Sequence, residues 1–291
     1  MVSLDSAACD FLVIEQCQSA MTFGKGLLIL ASVAAIALLV RSLLIEPVPL
    51  WIATVAIAGY LAIAMLGVLF PSLNMYANVL CAGPRDLPVV AITFDGGPHP
   101  VHTRKVLKIL DRAGVKATFF VLGKKAEAYP NAVREILSRG HTIGIGGYEF
   151  HRRLGFMTTK SIAADLDRAA RLIEDIAGHR PTLFRCVGWV SPRLSDAAAK
   201  LDLTIVGASV EGNELGKMPN PQTIVARVCR GLKPGAIVRL HDSDLGDDEP
   251  PAVEALPTIL DYAYSQGLGC VDVLKFANDS VARPVSNPET T

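Results

Sequence analysis

The chain has no excess charge of either sign, because 28 lysines and arginines balance 28 aspartates and glutamates. Without a basic field it offers nucleic acid nothing to bind, and that partner class is set aside. Six cysteines are present (Cys9, Cys17, Cys81, Cys186, Cys229, Cys270), with no CxxC pair and no metal-ligand spacing. They read as small buried hydrophobes rather than as a disulfide or thiolate framework. No glycine-rich dinucleotide fingerprint occurs, which argues against an open nucleotide-binding sheet. There is also no internal repeat and no low-complexity segment.

Long apolar runs, by contrast, are present, and they raise the mean hydropathy above that of a soluble protein. Gly26 to Val40 is uncharged, and after Arg41 the apolar character resumes to Ile45. Leu50 to Phe70 is a second run, 21 residues without a charge. Two helices of ~20 residues, at ~1.5 Å per residue, match a ~30 Å hydrocarbon core. Glu46-Pro47-Val48-Pro49 turns the chain between them, and Pro71 closes the second. The first run lies late, has acids before it and a second span after it, which favours a retained helix over a cleaved signal. Lys25 outside the hairpin against Arg41 inside it is too small a bias to orient the pair. The division expected is 1–24 as an N-terminal segment without an assigned role, 25–72 as two transmembrane helices, and 73–86 as a linker. Residues 87–275 follow as a β/α domain, and 276–291 as a polar tail.

Within the β/α portion, strand and helix patterns alternate. Strands are expected at 89–95, 117–122, 142–145, 182–187, 203–210, 236–240 and 270–273. Between them lie helices at 103–113, 130–139, 159–176, 191–200, 221–231 and 254–266. About seven strands, each followed by a helix or the chain end, imply a parallel sheet. Val89 to Pro100, VVAITFDGGPHP, is the stretch around which this is organised. Five apolar or β-branched residues lead to Asp95, and Gly96-Gly97-Pro98 turns the chain at once. The C-terminal ends of buried parallel strands are where α/β folds keep their chemistry. A solvated turn aspartate is the bland alternative.

TFDGGPHP resembles the first motif of the NodB-type polysaccharide deacetylases, carbohydrate esterase family 4, which reads Thr-Phe-Asp-Asp-Gly-Pro. The likeness runs from about Leu87 to Val273. It implies a distorted (β/α) barrel of about seven strands, here preceded by the two-helix hairpin, with its site at the strands' C-terminal ends. It also implies hydrolysis of N-acetyl groups on an amino-sugar polymer, a divalent metal such as zinc, and an extracytoplasmic domain on the membrane.

The resemblance assigns roles residue by residue. Asp95 matches the catalytic base, His241 in Gly235-Ala236-Ile237-Val238-Arg239-Leu240-His241-Asp242 the catalytic acid, and Arg185 the arginine that orients the base. Trp189, Leu240 and Tyr148 are expected as substrate contacts, and His99 and His102 as rim residues. A structural histidine or a surface arginine is the alternative at each position. The metal ligands depart from the pattern. Gly96 stands in place of the second aspartate, and Gly146 and Phe150 stand where the two histidines belong. A one-residue slip rescues only His151, and Asp95, His151 and Glu149 form the one substitute ligand set on offer. His141, at the entrance of its strand, reads as structural. Glu211 is a weak stand-in for the aspartate of the fourth motif, where Ala208 replaces a tryptophan. Three functions remain open: an N-deacetylase with an unconventional metal site, a glycan-binding pseudoenzyme, and a membrane scaffold for a protein partner.

Overall fold

The computed structural model describes residues 5–69, 75–150, 154–186, 190–212, 220–243 and 249–281. Helix α1 (Asp5–Leu44) and helix α2 (Leu50–Leu69) come first. Their segments Lys25–Leu44 and Leu50–Gly67 are long and apolar enough to cross a bilayer, by length and composition. Side chains such as Leu43, Leu44, Leu50 and Trp51 are exposed, as lipid-facing residues are. The N-terminal segment, given no role from the sequence, is helical from Asp5 and continues into the first apolar run as α1.

The chain leaves α2 along a segment tied to both helices. The Tyr76 hydroxyl donates to the Ala64 carbonyl at 2.7 Å, and Lys25 Nζ donates to Asn78 Oδ1 at 3.0 Å. Then come β1 (Val79–Leu80), β2 (Val89–Asp95), α3 (His102–Ala113), β3 (Thr118–Val121), α4 (Gly123–Ala128), α5 (Pro130–Ser138) and β4 (Thr142–Ile145). A 3-10 turn at Leu154–Phe156 leads into α6 (Thr159–Ala177), β5 (Leu183–Phe184), α7 (Pro192–Ala199), β6 (Thr204–Val206) and β7 (Val210–Glu211). The chain ends in α8 (Pro221–Gly231), β8 (Ile237–His241), α9 (Pro251–Ser265), β9 (Gly269–Val271) and α10 (Val273–Val281).

The described strands form one sheet in the order β1-β6-β5-β4-β3-β2-β8-β7, with β9 also pairing β2. All the strand pairs are parallel. Strands β6 and β7 are three residues apart in sequence yet stand towards opposite margins, so the sheet must bend until those margins meet. An antiparallel bridge, Ala82 to Ala236, and a bond from Gly83 N to the Gly235 carbonyl at 2.7 Å cross the seam. The result is the expected distorted barrel.

Strand alternation divides the apolar residues into two cores. Val90, Ile92, Phe94, Val238 and Leu240 face outward, under the helices. Ala91, Phe120, Leu183, Val206 and Ile237 face inward, and α10 fills that interior with Val273 and Phe276. The helices are cut where the sequence places their signals. Thr158, Ser191 and Asn220 each accept a bond from a backbone N–H in the first turn, and Gly114 and Gly178 end α3 and α6 in the left-handed region.

Four elements differ from expectation, the first being β1, which lies in the stretch expected as linker. Helix α4 is too short for a periodic signal. Helix α10 has an apolar stripe of only Val273, Phe276 and Ala277, set in an otherwise polar tail. The strand expected at 203–210 is broken at Gly207, whose carbonyl turns to accept from Arg185 Nη2 at 2.8 Å.

Gly235 shows how tightly the seam closes. Its φ is +77, and a Cβ there would stand 2.5 Å from the Gly83 carbonyl oxygen and 2.7 Å from that of Pro84. Gly235→Ala is therefore expected to destabilise by at least ~1–3 kcal/mol, lowering the melting temperature by several degrees. Thermal unfolding of the full chain in detergent checks this, and an unchanged midpoint would show that the seam yields.

Candidate functional site

Strands β2 and β8 are paired so that Asp95 lies opposite His241 and Thr93 opposite Arg239. Paired residues in a parallel sheet point to the same face, so all four face the barrel interior, above the apolar layer of Ala91 and Ile237. Residue 185 follows β5 and turns its side chain into the same space. The structure thus brings together Asp95, Arg185 and His241, three of the residues singled out from the sequence.

Asp95 is 2% exposed, and each of its carboxylate oxygens has a cation beside it. Arg185 Nη1 lies 2.9 Å from Oδ1, and Arg239 Nε lies 2.7 Å from Oδ2, within ion-pair distance though off the hydrogen-bond axis. Burial alone would push the Asp95 carboxyl up. The charges of Arg185, Arg239 and His241 outweigh it, and the carboxyl lies below its usual range. Arg185, also 2% exposed, has its donors distributed over several acceptors. Nη1 also donates to Thr93 Oγ1 at 2.5 Å, Nε to the Val206 carbonyl at 3.3 Å, and the guanidinium lies 4.1 Å from the centre of the Phe120 ring. Arg239 extends to the rim, where Nη1 meets Glu211 Oε1 at 3.3 Å.

A second buried acid lies beneath the mouth. Asp242 Oδ2 accepts from Thr103 Oγ1 at 2.5 Å, and Oδ1 has no hydrogen-bond partner among the described residues. Burial pushes this carboxyl up to about 6. Gly97 packs directly against it, since a Cβ there would stand 2.3 Å from Asp242 Oδ2. Lys125 Nζ donates to Ser243 Oγ at 2.6 Å on the same side.

Other expected residues are placed elsewhere. Leu240 is fully buried in the outer core, on the face of β8 opposite to His241, because adjacent strand residues alternate. Expected as a substrate contact, it is a core residue instead. Arg239, two residues before His241, takes the interior position. Tyr148 turns to the flank between α4 and α6. There its hydroxyl meets Glu127 at 2.7 Å and Arg168 at 2.8 Å, with the Arg168 guanidinium over its ring. That flank is a separate groove, lined by Glu127, Asp167, Arg168 and Arg171 among others. His99 accepts backbone N–H bonds at the start of α3 and stacks on His102, which is buried rather than at the rim. His141 lies at the opposite end of the sheet, where its Nδ1 accepts from Ala117 N at 3.2 Å and burial lowers its pKa to about 4. His151 and Trp189 lie outside the described residues.

The residues present do not fit the metal of the resemblance. Gly96, Gly146 and Phe150 bring no ligand atom, and no group of three His, Cys, Asp or Glu able to hold a metal occurs among the described residues. The substitute ligand Glu149 is paired with Lys124 at 2.9 Å, and both oxygens of Asp95 face arginines. Two guanidinium groups at the one remaining acid would also repel a dication. The missing aspartate is not a simple deletion either. Gly96 has φ +88, and a Cβ there would stand 2.6 Å from the Ser243 carbonyl oxygen.

Sequence reading missed Arg239. The signal was available: a lone cation in an apolar strand, at the period-two spacing from a proposed site histidine.

Residues 82–206 match the family model described as polysaccharide deacetylase. A peptidoglycan-N-acetylglucosamine deacetylase of Bacillus cereus is 30% identical over 187 residues, which is 64% of this chain and 67% of that one. A peptidoglycan-N-acetylmuramic acid deacetylase of Bacillus subtilis is 32% identical over 155 residues, 53% of this chain but 32% of its own length. Among solved structures, the Bc1960 peptidoglycan N-acetylglucosamine deacetylase is 28% identical with a TM-score of 0.63, over 67% of this chain and 91% of that one. A family 4 acetyl xylan esterase from Clostridium thermocellum, in complex with a cobalt ion, is 28% identical with a TM-score of 0.60, over 69% of this chain and all of that one.

Two outcomes are expected from the buried charges. Arg185→Ala should destabilise by ~3–5 kcal/mol, because it leaves Asp95 facing only Arg239 in the interior. A loss below ~1 kcal/mol on denaturant unfolding would mean that water reaches the site. For Asp242, a folded pKa of about 6 lies above the unfolded value of ~3.9, so the folded state holds the extra proton between those values. Its burial therefore costs stability that grows as pH rises through 6. Asp242→Asn should raise the melting temperature relative to the native chain more at pH 8 than at pH 5, and a pH-independent difference would refute the assignment.

Proposed function

This chain belongs to the polysaccharide deacetylase family, and from that premise we propose that it is a membrane-anchored member that binds an amino-sugar polymer without hydrolysing it through a metal. The observation that carries the reading is the environment of Asp95, whose two carboxylate oxygens each face an arginine. In a metal-dependent family, that acid would take a proton from a metal-bound water. Here its depressed pKa makes it a weak proton acceptor, and the ion pairs would have to break before it could act.

The fold turns the candidate site away from the two apolar helices. Asn78, where the chain arrives from the two helices, precedes β1, whereas Asp95 and His241 end β2 and β8. In a parallel sheet those are opposite ends, and the seven residues of β2 alone span ~20 Å. With α1 and α2 in a bilayer, the mouth of the barrel faces away from the lipid. The relatives named as peptidoglycan deacetylases make a cell-wall glycan the leading ligand class for this chain, with the barrel extracytoplasmic. His241, Arg239 and the exposed Glu211 at the rim supply donors and acceptors for sugar hydroxyl and amide groups.

One observation favours a second reading, a slow metal-independent deacetylase. Asp95 and His241 remain directly opposite in register, the arrangement a base and an acid need. Asp95 would take a proton from water as it attacks the acetamide carbonyl, and His241 would protonate the departing amine. The oxyanion then lacks its strongest partner, and removing even an ordinary donor costs ~10²–10³ in rate.

The full chain, purified in detergent, is expected to carry less than about a tenth of an equivalent of zinc. It should also release no acetate from chito-oligosaccharide or peptidoglycan, yet be retained on insoluble peptidoglycan. Stoichiometric zinc with chelator-sensitive acetate release would overturn the reading. Metal-free acetate release abolished by Asp95→Asn would favour the slow enzyme.

A further inference from the structure

The turns that precede strands all lie at one end of the parallel sheet, the end at which Asn78 arrives from α1 and α2. Exposed basic residues collect there. Arg85 precedes β2, Arg112 precedes β3, Lys200 precedes β6, and Arg230 and Lys233 precede β8. None of these five has an ion-pair partner among the described residues, whereas Arg139 and Arg180 at the same end are neutralised by neighbouring acids. Asp86, Asp175, Asp202, Asp261 and Asp272 also lie towards this end, so the basic character is local and is greatest where Arg85 and Lys233 line one cavity.

Two of the basic residues frame a cavity of about 290 Å³, where the linker passes beneath β8. Arg85 and Lys233 line it, with Ser209, Cys81 and the Gly235 turn. Gly83 N donates to the Gly235 carbonyl at 2.7 Å, so the strap carrying Arg85 is fixed to the turn carrying Lys233. Part of this basic pattern has a local explanation, since Arg112 and Arg230 sit in the last turns of α3 and α8, where a cation complements the helix dipole. Lys200 caps the C-terminus of α7 in the same way and Lys233 lies two residues beyond α8, whereas Arg85 lies outside any helix.

We infer that this end of the barrel docks on the anionic surface of the bilayer holding α1 and α2, with a lipid headgroup phosphate between Arg85 and Lys233. The inference rests on the membrane-anchored reading above. Continuity supports it. The Lys25–Asn78 and Tyr76–Ala64 bonds tie the start of β1 to the helix ends. Three residues of extended chain, ~10 Å, separate Asn78 from Cys81 at the cavity wall, little more than the ~8 Å over which an anionic headgroup field decays in physiological salt. Each lysine or arginine near such a surface strengthens attachment by about fivefold. Docking would hold the barrel upright and keep the mouth at Asp95 turned to the wall.

The test uses hydrogen exchange by mass spectrometry on the full chain, in nanodiscs of phosphatidylcholine alone or with about 30% phosphatidylglycerol. Segments 83–88 and 230–236 are expected to exchange at least about threefold more slowly in the anionic discs, and high salt should abolish the difference. The exposed triple variant R85Q/K200Q/K233Q should lose that protection while keeping the native melting temperature. Extraction with alkaline carbonate runs in parallel. A chain washed from the membrane would end the anchoring reading and this inference with it. A chain that stays, yet exchanges equally in both discs or keeps its protection in the triple variant, would overturn docking alone.

Discussion

Asp95 lies between two guanidinium groups inside a closed sheet, and much of the molecule is arranged around satisfying them. A carboxylate taken out of water to this depth persists only with cations and hydrogen bonds close by, and Arg185 is in the same position with the sign reversed. Thr93, the Val206 and Gly207 carbonyls and the face of Phe120 complete the shell of Arg185. The network joins β2, the end of β5, the broken β6–β7 strand and β8. Four segments far apart in sequence are thereby held in one register. The same contacts leave Asp95 no oxygen free of an arginine.

The turn after Asp95 is constrained by sterics as well as by charge. Gly96 holds a backbone conformation that disfavours a side chain, and the Ser243 carbonyl oxygen lies 2.6 Å from where its Cβ would stand. Gly97 is packed against the buried Asp242 in the same turn. A metal seat emptied by one substitution would leave a cavity with its other ligands pointing in. Here the Ser243 carbonyl takes up the side-chain space at Gly96, and Arg239 brings a fixed positive charge where a dication would have to compete.

Much of this was legible in the residue pattern. The apolar runs at 26–45 and 50–70, the seven main strands, the capping residues and the place of Asp95 at a strand end follow from periodicity and local sterics, which act over a few residues. The TFDGGPHP stretch and the GAIVRLHD strand carried the resemblance and with it the barrel. Helices α4 and α10 were not legible, because their apolar stripes are too short to stand out. Leu240 was misassigned because proximity to His241 in sequence was allowed to stand for proximity in space, although neighbours on a strand face opposite sides. The same alternation, applied from His241, identifies Arg239.

By itself, then, the sequence determined the class of fold, the two apolar helices and the absence of metal-ligand side chains at their expected positions, because each depends on composition and short-range spacing. Tertiary structure alone decided that Arg239 reaches Asp95, that Tyr148 turns to a different groove, that Gly96 has no room for a side chain and that Arg85 and Lys233 line one cavity. Those outcomes depend on how the margins of the sheet meet and which strands become neighbours. Contacts between residues more than a hundred positions apart leave no periodic trace in the chain.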